Sequence, residues 1–547
     1  MAIFAMRAPK FFSRARCRFL IGLSLLCLCA AGCFRREPPA DVTIINYAEP
    51  DSLDPAIIVS QPDMRIVRGM FEGLADLDPQ TSQVVPGMAK SWEISPDGKI
   101  YTFHLRTNLV WSTGEPISAD DVVYSWIRAL NPLTASDYAN ALFYLKNAEA
   151  FNNGTVKDAS LVGIHALDKD TVRVELNSPT PFFIDICTFP VAFVVPRQTI
   201  EKYGDKWIMA RPLPSSGPFE LDYWRLSDRV RLKKNPRYWN AAHTQSDIID
   251  LLPISSPNTA FNLYESGAVD IVWDKDSVPQ QLLDILLKRP DFHSFHFLGT
   301  YFIRINVTKK PFDDPRVRRA LALAVDKKMI VQKTMRGGEE PASYFVPDGT
   351  ADYTSPQGLG YDPIEAKKLL AEAGYPDGKG FPRFEYTFDA SSSGAAQTHE
   401  NIAIELQRMW RDTLGIQMDL REIETKVFWN AQSRLDYQLS RASWVGDYND
   451  ANTFMEMFTS NDGNNRTGWK NPEYDSLITE ANEQTNIQAR EKIFQKAETM
   501  LISNDVPIIP LYFYVGVMYY DTNKIQGLYP NLLDDHPLEY IRKVKSP

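Results

Sequence analysis

Two histidines, His293 and His296, stand closest together in this chain, three apart in Phe292-His293-Ser294-Phe295-His296-Phe297. A paired metal ligand or a general base would be sought there first. The run reads as a strand, which sends the two rings to opposite faces, and each reads as an ordinary, partly buried histidine. The other five histidines give no HExxH or comparable ligand spacing. A GxSxG nucleophile elbow, a GxxxxGK[ST] phosphate loop and a GxGxxG turn are missing as well. Carboxylate pairs are frequent, but Asp314 of Asp313-Asp314 precedes a proline as a helix cap, and Asp534-Asp535 reads as a solvated turn. Cys187, in Phe182-Phe183-Ile184-Asp185-Ile186-Cys187, reads as a buried small hydrophobe rather than a nucleophile. These residues ask for no enzyme, no metal and no cofactor. Residues suited to binding are easier to find: Tyr and Trp beside Asp, Asn and Ser, as in Trp444-Val445-Gly446-Asp447-Tyr448-Asn449-Asp450 and Tyr512-Phe513-Tyr514. Most aromatics belong to a core, and the remainder suit a pocket with large flat surfaces and a few placed polar groups.

One covalent event is expected near the start of the chain. Arg7, Lys10, Arg14, Arg16 and Arg18 form a positive segment without acids, followed by an apolar run over residues 19–31 that ends in Ala30-Ala31-Gly32-Cys33. That order is a secretory signal, too short for an ordinary membrane span. The cysteine after small residues resembles a bacterial lipobox, with Ala30 where Leu is usual. Residues 1–32 would then be removed and Cys33 would carry lipid, placing the protein in the cell envelope, anchored on the periplasmic side of a membrane. Removal of 32 residues from 547 leaves 515, enough for two or three domains. The removed segment holds five basic residues and no acid, so the formal charge falls from −10 to −15. An acidic chain without a basic run argues against nucleic acid as a partner. Cys187 then has no partner, and a chain of this size does not need a disulfide.

The elements that must position the binding residues are well punctuated. Residues 34–40 read as a charged, proline-containing tether, and strand structure is expected from Val42-Thr43-Ile44-Ile45. Ser91-Trp92-Glu93-Ile94, the turn Ser95-Pro96-Asp97-Gly98 and Tyr101-Thr102-Phe103-His104-Leu105 read as a hairpin. Ser118-Ala119-Asp120-Asp121 opens a helix carrying Val122, Val123, Trp126, Ile127 and Leu130. Asp314-Pro315 and Asp362-Pro363 open two more, the second closed by Gly374. Mixed elements without a repeat predict α/β layers in several domains.

Four stretches resemble one family, the extracellular solute-binding proteins of ABC peptide importers, family 5, of the oligopeptide-binding type. They are Asn46-Tyr47-Ala48-Glu49-Pro50-Asp51-Ser52-Leu53-Asp54-Pro55 with Phe71-Glu72-Gly73-Leu74; the region from Ala89-Lys90-Ser91-Trp92 to Asp121-Val122-Val123-Tyr124-Ser125-Trp126; Pro311-Phe312-Asp313-Asp314-Pro315-Arg316-Val317-Arg318-Arg319-Ala320-Leu321; and Arg441-Ala442-Ser443-Trp444 with Asp447-Tyr448-Asn449. The resemblance implies a periplasmic-binding-protein-like α/β fold of cluster C type, with two hinged lobes and an extra domain in the first lobe. Domain I would comprise 41–71, 189–298 and 516–547, domain II 72–188, and domain III 299–515.

The resemblance also implies a ligand, a short peptide held as an added strand between the lobes, whose main-chain bonding tolerates many sequences. Asp447 would take its α-ammonium, and Trp444 would pack on its first residues. Arg441 and His399 would meet its carboxylate, with His399 alternatively an exposed residue at a helix start. Tyr124 and Tyr514 would serve as main-chain partners. Two departures stand out. The disulfide positions of several relatives are Gly299 and Val445 here, and Arg304 replaces an acid. Arg304 either points into the cleft and favours acidic ligands or pairs with a surface acid. Partners would be membrane permease subunits with a separate ATPase, the chain itself being a monomer. A sensor or chaperone-like lipoprotein, or a binder of a metal complex or murein peptide, is the alternative.

Overall fold

The computed structural model describes residues 37–390 and 395–544, so Cys33 and the signal segment lie outside the described residues. The main sheet draws strands from the whole remaining length: β1 (Val42–Ile45), β2 (Phe219–Arg225), β3 (Arg229–Lys234), β4 (Ile248–Leu252), β5 (Ile271–Val272), β6 (Phe292–Ile305), β7 (Phe384–Ala390), β8 (Met418–Glu424), β9 (Leu439–Val445) and β10 (Ile508–Tyr519). Their spatial order is β8-β7-β9-β6-β10-β5-β1-β4-β3-β2. Strand β1 pairs in parallel with β4 and β5 on its two edges, which explains why it is an apolar run rather than an alternating one.

Two long strands join the halves of this sheet. β6 and β10 run antiparallel from Phe292 opposite Tyr519 to Arg304 opposite Ile508. Between His296 and Thr300 the register breaks, with residues 297–299 facing the single residue 514. Such a bulge bends and twists a strand pair locally. On one side of it Phe292, Val517 and Tyr519 pack with Ile45 and Val272. On the other, Tyr301, Ile303 and Tyr512 pack with Tyr386, Trp410 and Leu439. The two lobes expected from the resemblance are therefore visible as separate cores on a shared sheet.

The first lobe carries a second, four-stranded sheet, in the order Ala89–Ile94, Ile100–Leu105, Thr171–Glu175 and Ile164–Asp168. Its hairpin turns at Gly98, whose φ of +68° suits glycine. Tyr101, Phe103 and Leu105 are buried, alternating with half-buried neighbours. Helix Ala119–Leu130 covers this sheet, with the Ser118 amide donating to Asp121 Oδ2 at 2.8 Å. The helices expected after Asp314 and Asp362 run over Pro315–Leu323 and Pro363–Glu372, and Gly374 follows the second with φ of +99°. Cys187 is fully buried and burial pushes its thiol well up, as suits a core hydrophobe.

Asp54, from the first family-like stretch, ties these parts together. Its carboxylate accepts from Arg128 at 2.9 and 2.5 Å and from the Trp207 indole at 2.9 Å. Arg128 lies on helix Ala119–Leu130, so the pair fixes that helix to the start of the chain. Removing one side of such a buried pair costs about 3–5 kcal/mol. Asp54→Ala is expected to lower the denaturant midpoint by a corresponding amount in chemical unfolding.

Candidate ligand site between the lobes

Strand β9 reads Leu-Ser-Arg-Ala-Ser-Trp-Val, and its neighbour β6 pairs with all seven residues. On the other edge β7 pairs only with Leu439 and Ser440. Residues 441–445 thus carry an edge with no strand beside it among the described residues, where an extended chain can add main-chain hydrogen bonds. The Arg441 carbonyl on this stretch accepts from Gln432 Nε2 at 2.9 Å.

A cavity of about 890 Å³ opens beside that edge, lined by Ser443, Trp444 and Asp447 from the second lobe and by Val59, Tyr138 and Phe189 from the first. Gly446 ends the strand, its amide donating to Leu298 O at 2.8 Å, and a Cβ there would come within 3.1 Å of the Phe454 ring. The chain then turns into the short helix Asn452–Met455. Two aspartates of this turn have opposite fates. Asp450 is committed, accepting from Arg490 at 2.6 and 2.8 Å. Asp447 is not: its amide donates to Thr453 Oγ1 at 3.2 Å, but no cation or donor among the described residues reaches its carboxylate. Burial without a counter-charge pushes that carboxyl up to about 7. The Trp444 indole N–H is also buried without a partner. An unpaired acid and an unpaired donor on one cavity wall are groups that a bound ligand would satisfy.

Strand alternation places Arg441 on the face of β9 opposite Trp444. Arg441 is buried and bonded to Asp389, Nε to Oδ1 at 2.6 Å and the second contact at 2.5 Å, between the rings of Phe428 and Trp429. His399 is likewise buried and faces the Tyr301 hydroxyl at 3.3 Å, so it is not an exposed residue at a helix start. Burial, followed by the nearby Arg441 and Lys275 charges, pushes its imidazole down to about 2. NMR of selectively labelled histidine is expected to show this ring neutral from pH 8 down to pH 4, well below the ordinary histidine value of about 6.5. Neither residue lines the cavity beside Asp447.

Tyr514 stacks at 5.7 Å on Phe297, and Lys275 Nζ lies 3.8 Å from its ring centre. Lys275 escapes sequence reading because a lone lysine between Asp274 and Asp276 has the composition of a solvated turn. Tyr124 was expected as a main-chain partner, but it lies under Arg197, 5.3 Å from its ring, and does not line the cavity. Its helix packs on the four-stranded sheet, which turns that side chain away. Arg304 lines the cavity and pairs with no carboxylate among the described residues, so it is not an Arg paired with a surface acid there. Gly299 and Val445 stand directly opposite each other across β6 and β9.

Contacts also cross the cavity. Phe182 of the first lobe stacks on Tyr448 of the second at 5.1 Å, nearly parallel. The Tyr144 hydroxyl donates to Glu456, which also accepts from Asn452 at 2.8 Å. These partners are more than 250 residues apart in the chain, and no local pattern marks them.

The family model for bacterial extracellular solute-binding proteins, family 5, matches residues 83–466. The periplasmic oligopeptide-binding protein OppA of Salmonella typhimurium is 36% identical over 483 residues, covering 86% of each chain. The probable deoxycholate-binding periplasmic protein YgiS of Escherichia coli is 35% identical over 481 residues, covering 86% of this chain and 87% of its own. Among solved structures, a periplasmic oligopeptide-binding protein of an oligopeptide ABC transporter from Borrelia burgdorferi superposes with a TM-score of 0.81 at 34% identity. That superposition covers 92% of this chain and all of the other. The family model matches more than half of the chain and these relatives cover most of it, so the chain belongs to the bacterial extracellular solute-binding proteins of family 5.

Proposed function

We propose that this protein captures short peptides between its lobes and delivers them to the permease of an ABC importer whose ATPase is a separate chain. The observation that carries this reading is the Asp447 carboxylate, without a counter-charge on the wall of the cavity and next to the open edge of β9. A peptide laid along residues 441–445 supplies main-chain partners to that edge and an ammonium to Asp447. Trp444 then packs on its first residues. Arg441, neutral His399 and Tyr514 with Lys275 beside it lie outside the cavity beside Asp447, and they would meet the peptide carboxylate only with a peptide long enough to reach past it. The protein holds its ligand and does not turn it over.

The register break at residues 297–299 supports a hinge there, and with it the division into domain I (41–71, 189–298, 516–547), domain II (72–188) and domain III (299–515). The signal pattern before Cys33 supports lipid anchoring on the periplasmic side, and the protein acts as a monomer. Mass spectrometry of small molecules released by denaturing the purified, tag-free protein tests the reading. A mixed population of short peptides is the expected result. One recurrent non-peptide species, such as a bile acid, would overturn it.

A further inference from the structure

The cavity has a second unsatisfied group, some distance from Asp447. Arg304 sits near the end of β6 opposite Ser440, while Trp444 sits opposite Thr300. Four strand steps separate these positions, about 14 Å at the usual rise. The Arg304 side chain is almost wholly buried, at 4% exposure for the residue, yet it lines the cavity. Its Nε has no partner, and its terminal nitrogen makes one long contact, 3.3 Å, to the neutral amide oxygen of Gln432. The guanidinium also lies 5.6 Å from the Phe302 ring. Among the described residues no carboxylate stands within ion-pair distance.

A second guanidinium lines the same region. Arg466 lies 5.6 Å from the Trp429 ring, and its Nε reaches only the Gly463 carbonyl at 3.5 Å. The single acid near both is Asp462, which accepts from the Asn464 amide at 2.7 Å. Two cations thus face one carboxylate. The other acids on the cavity lining are placed elsewhere: Asp137 and Glu149 are exposed at the first-lobe rim, and Glu456 is taken by Tyr144 and Asn452. Burial pushes the Arg304 guanidinium down to about 10, the sign of a charge without sufficient compensation. A guanidinium presents donors in a planar fork, and a carboxylate is the group that satisfies two of them at once.

We propose that Arg304, with Arg466 beside it, forms a subsite for a ligand carboxylate other than the one at the peptide's end, so that the protein selects peptides with an acidic side chain. This rests on the peptide-binding reading and deepens it. The gain over an amide of equal shape comes from pairing a buried charge that otherwise stays unpaired.

The test is a calorimetric titration of ligand-stripped protein with alanine tetrapeptides carrying Glu, or its isostere Gln, at each position in turn, and with C-terminal amides of the same series. At one position the Glu peptide is expected to bind at least tenfold tighter than the Gln peptide, and the amide should retain that ratio. In Arg304→Gln the ratio should fall to about one. Equal binding of Glu and Gln peptides at every position in the wild-type protein overturns the proposal without needing any variant. A Glu preference that appears only when the C-terminus is amidated also overturns it, because in the free-acid peptide the subsite then holds the terminal carboxylate. Failure of every peptide, Gln series included, overturns the peptide-binding reading itself and is distinguishable from either.

Discussion

Replacing Asp447 by Asn should weaken binding of a free-amine peptide by a hundredfold or more, and N-acetylating the peptide should do the same to the wild-type protein. In the complex a buried ammonium faces this carboxylate, and removing one side of such a pair costs about 3–5 kcal/mol, which is two to three decades or more in Kd. The two changes remove the same interaction from opposite sides. Together they should therefore cost little more than either alone, and calorimetry on the four combinations measures that coupling. The variant has a second, opposite effect. In the ligand-free protein the Asp447 carboxyl is raised to about 7, above the ordinary carboxylate value near 4. A raised carboxyl contributes stability that is present below pH 4 and lost as pH climbs through 7. Asn at this position carries no such cost, so the ligand-free variant should melt higher than the wild type at neutral pH. Loss of affinity with gain of stability separates a binding role from a structural one.

Peptide affinity should also peak between about pH 7 and 8 and fall on both sides. The site needs Asp447 ionised and the ligand amine protonated. Below 7 the free protein holds a proton on Asp447 that must leave before the ammonium can pair, and the affinity drops about tenfold per unit. From pH 7 to pH 5 the expected loss is about a hundredfold. Above 8 the free peptide amine, with an ordinary value of about 7.7–8.0, loses its own proton. Titrations in buffers of different ionisation enthalpy should show proton release on binding at pH 6. The acid limb should vanish in Asp447→Asn, whereas an acid limb that persists there would assign it to another group.

Much of this site was legible in the sequence, for physical reasons that also set the limit. Helix starts at Asp314-Pro315 and Asp362-Pro363, the hairpin at Gly98 and strand β1 are decided by residues within a few positions of each other. Trp444 and Asp447 share one short segment, so a single motif carries both to the same wall. The pairing of Arg441 with Asp389, 52 positions away, cannot be read from either segment. Nor can the Tyr144 contact to Glu456, across 312 positions. The packing of Tyr124 under Arg197 is hidden for the same reason, since its helix face is set by packing on a sheet built from distant strands. For Arg304 the sequence left two orientations open, and the choice depends on what β9 and Gln432 place around it.

The stack of Phe182 on Tyr448 and the bond from Tyr144 to Glu456 involve no ligand atom. They tie the two lobes together beside the cavity by protein contacts alone, so the lobes can part there only when both contacts break. A peptide bound across both lobes adds its own contacts to these, so residence time depends on how often the lobes part and on what the peptide contributes to holding them together. A change that separates Phe182 from Tyr448 would therefore favour release of the ligand.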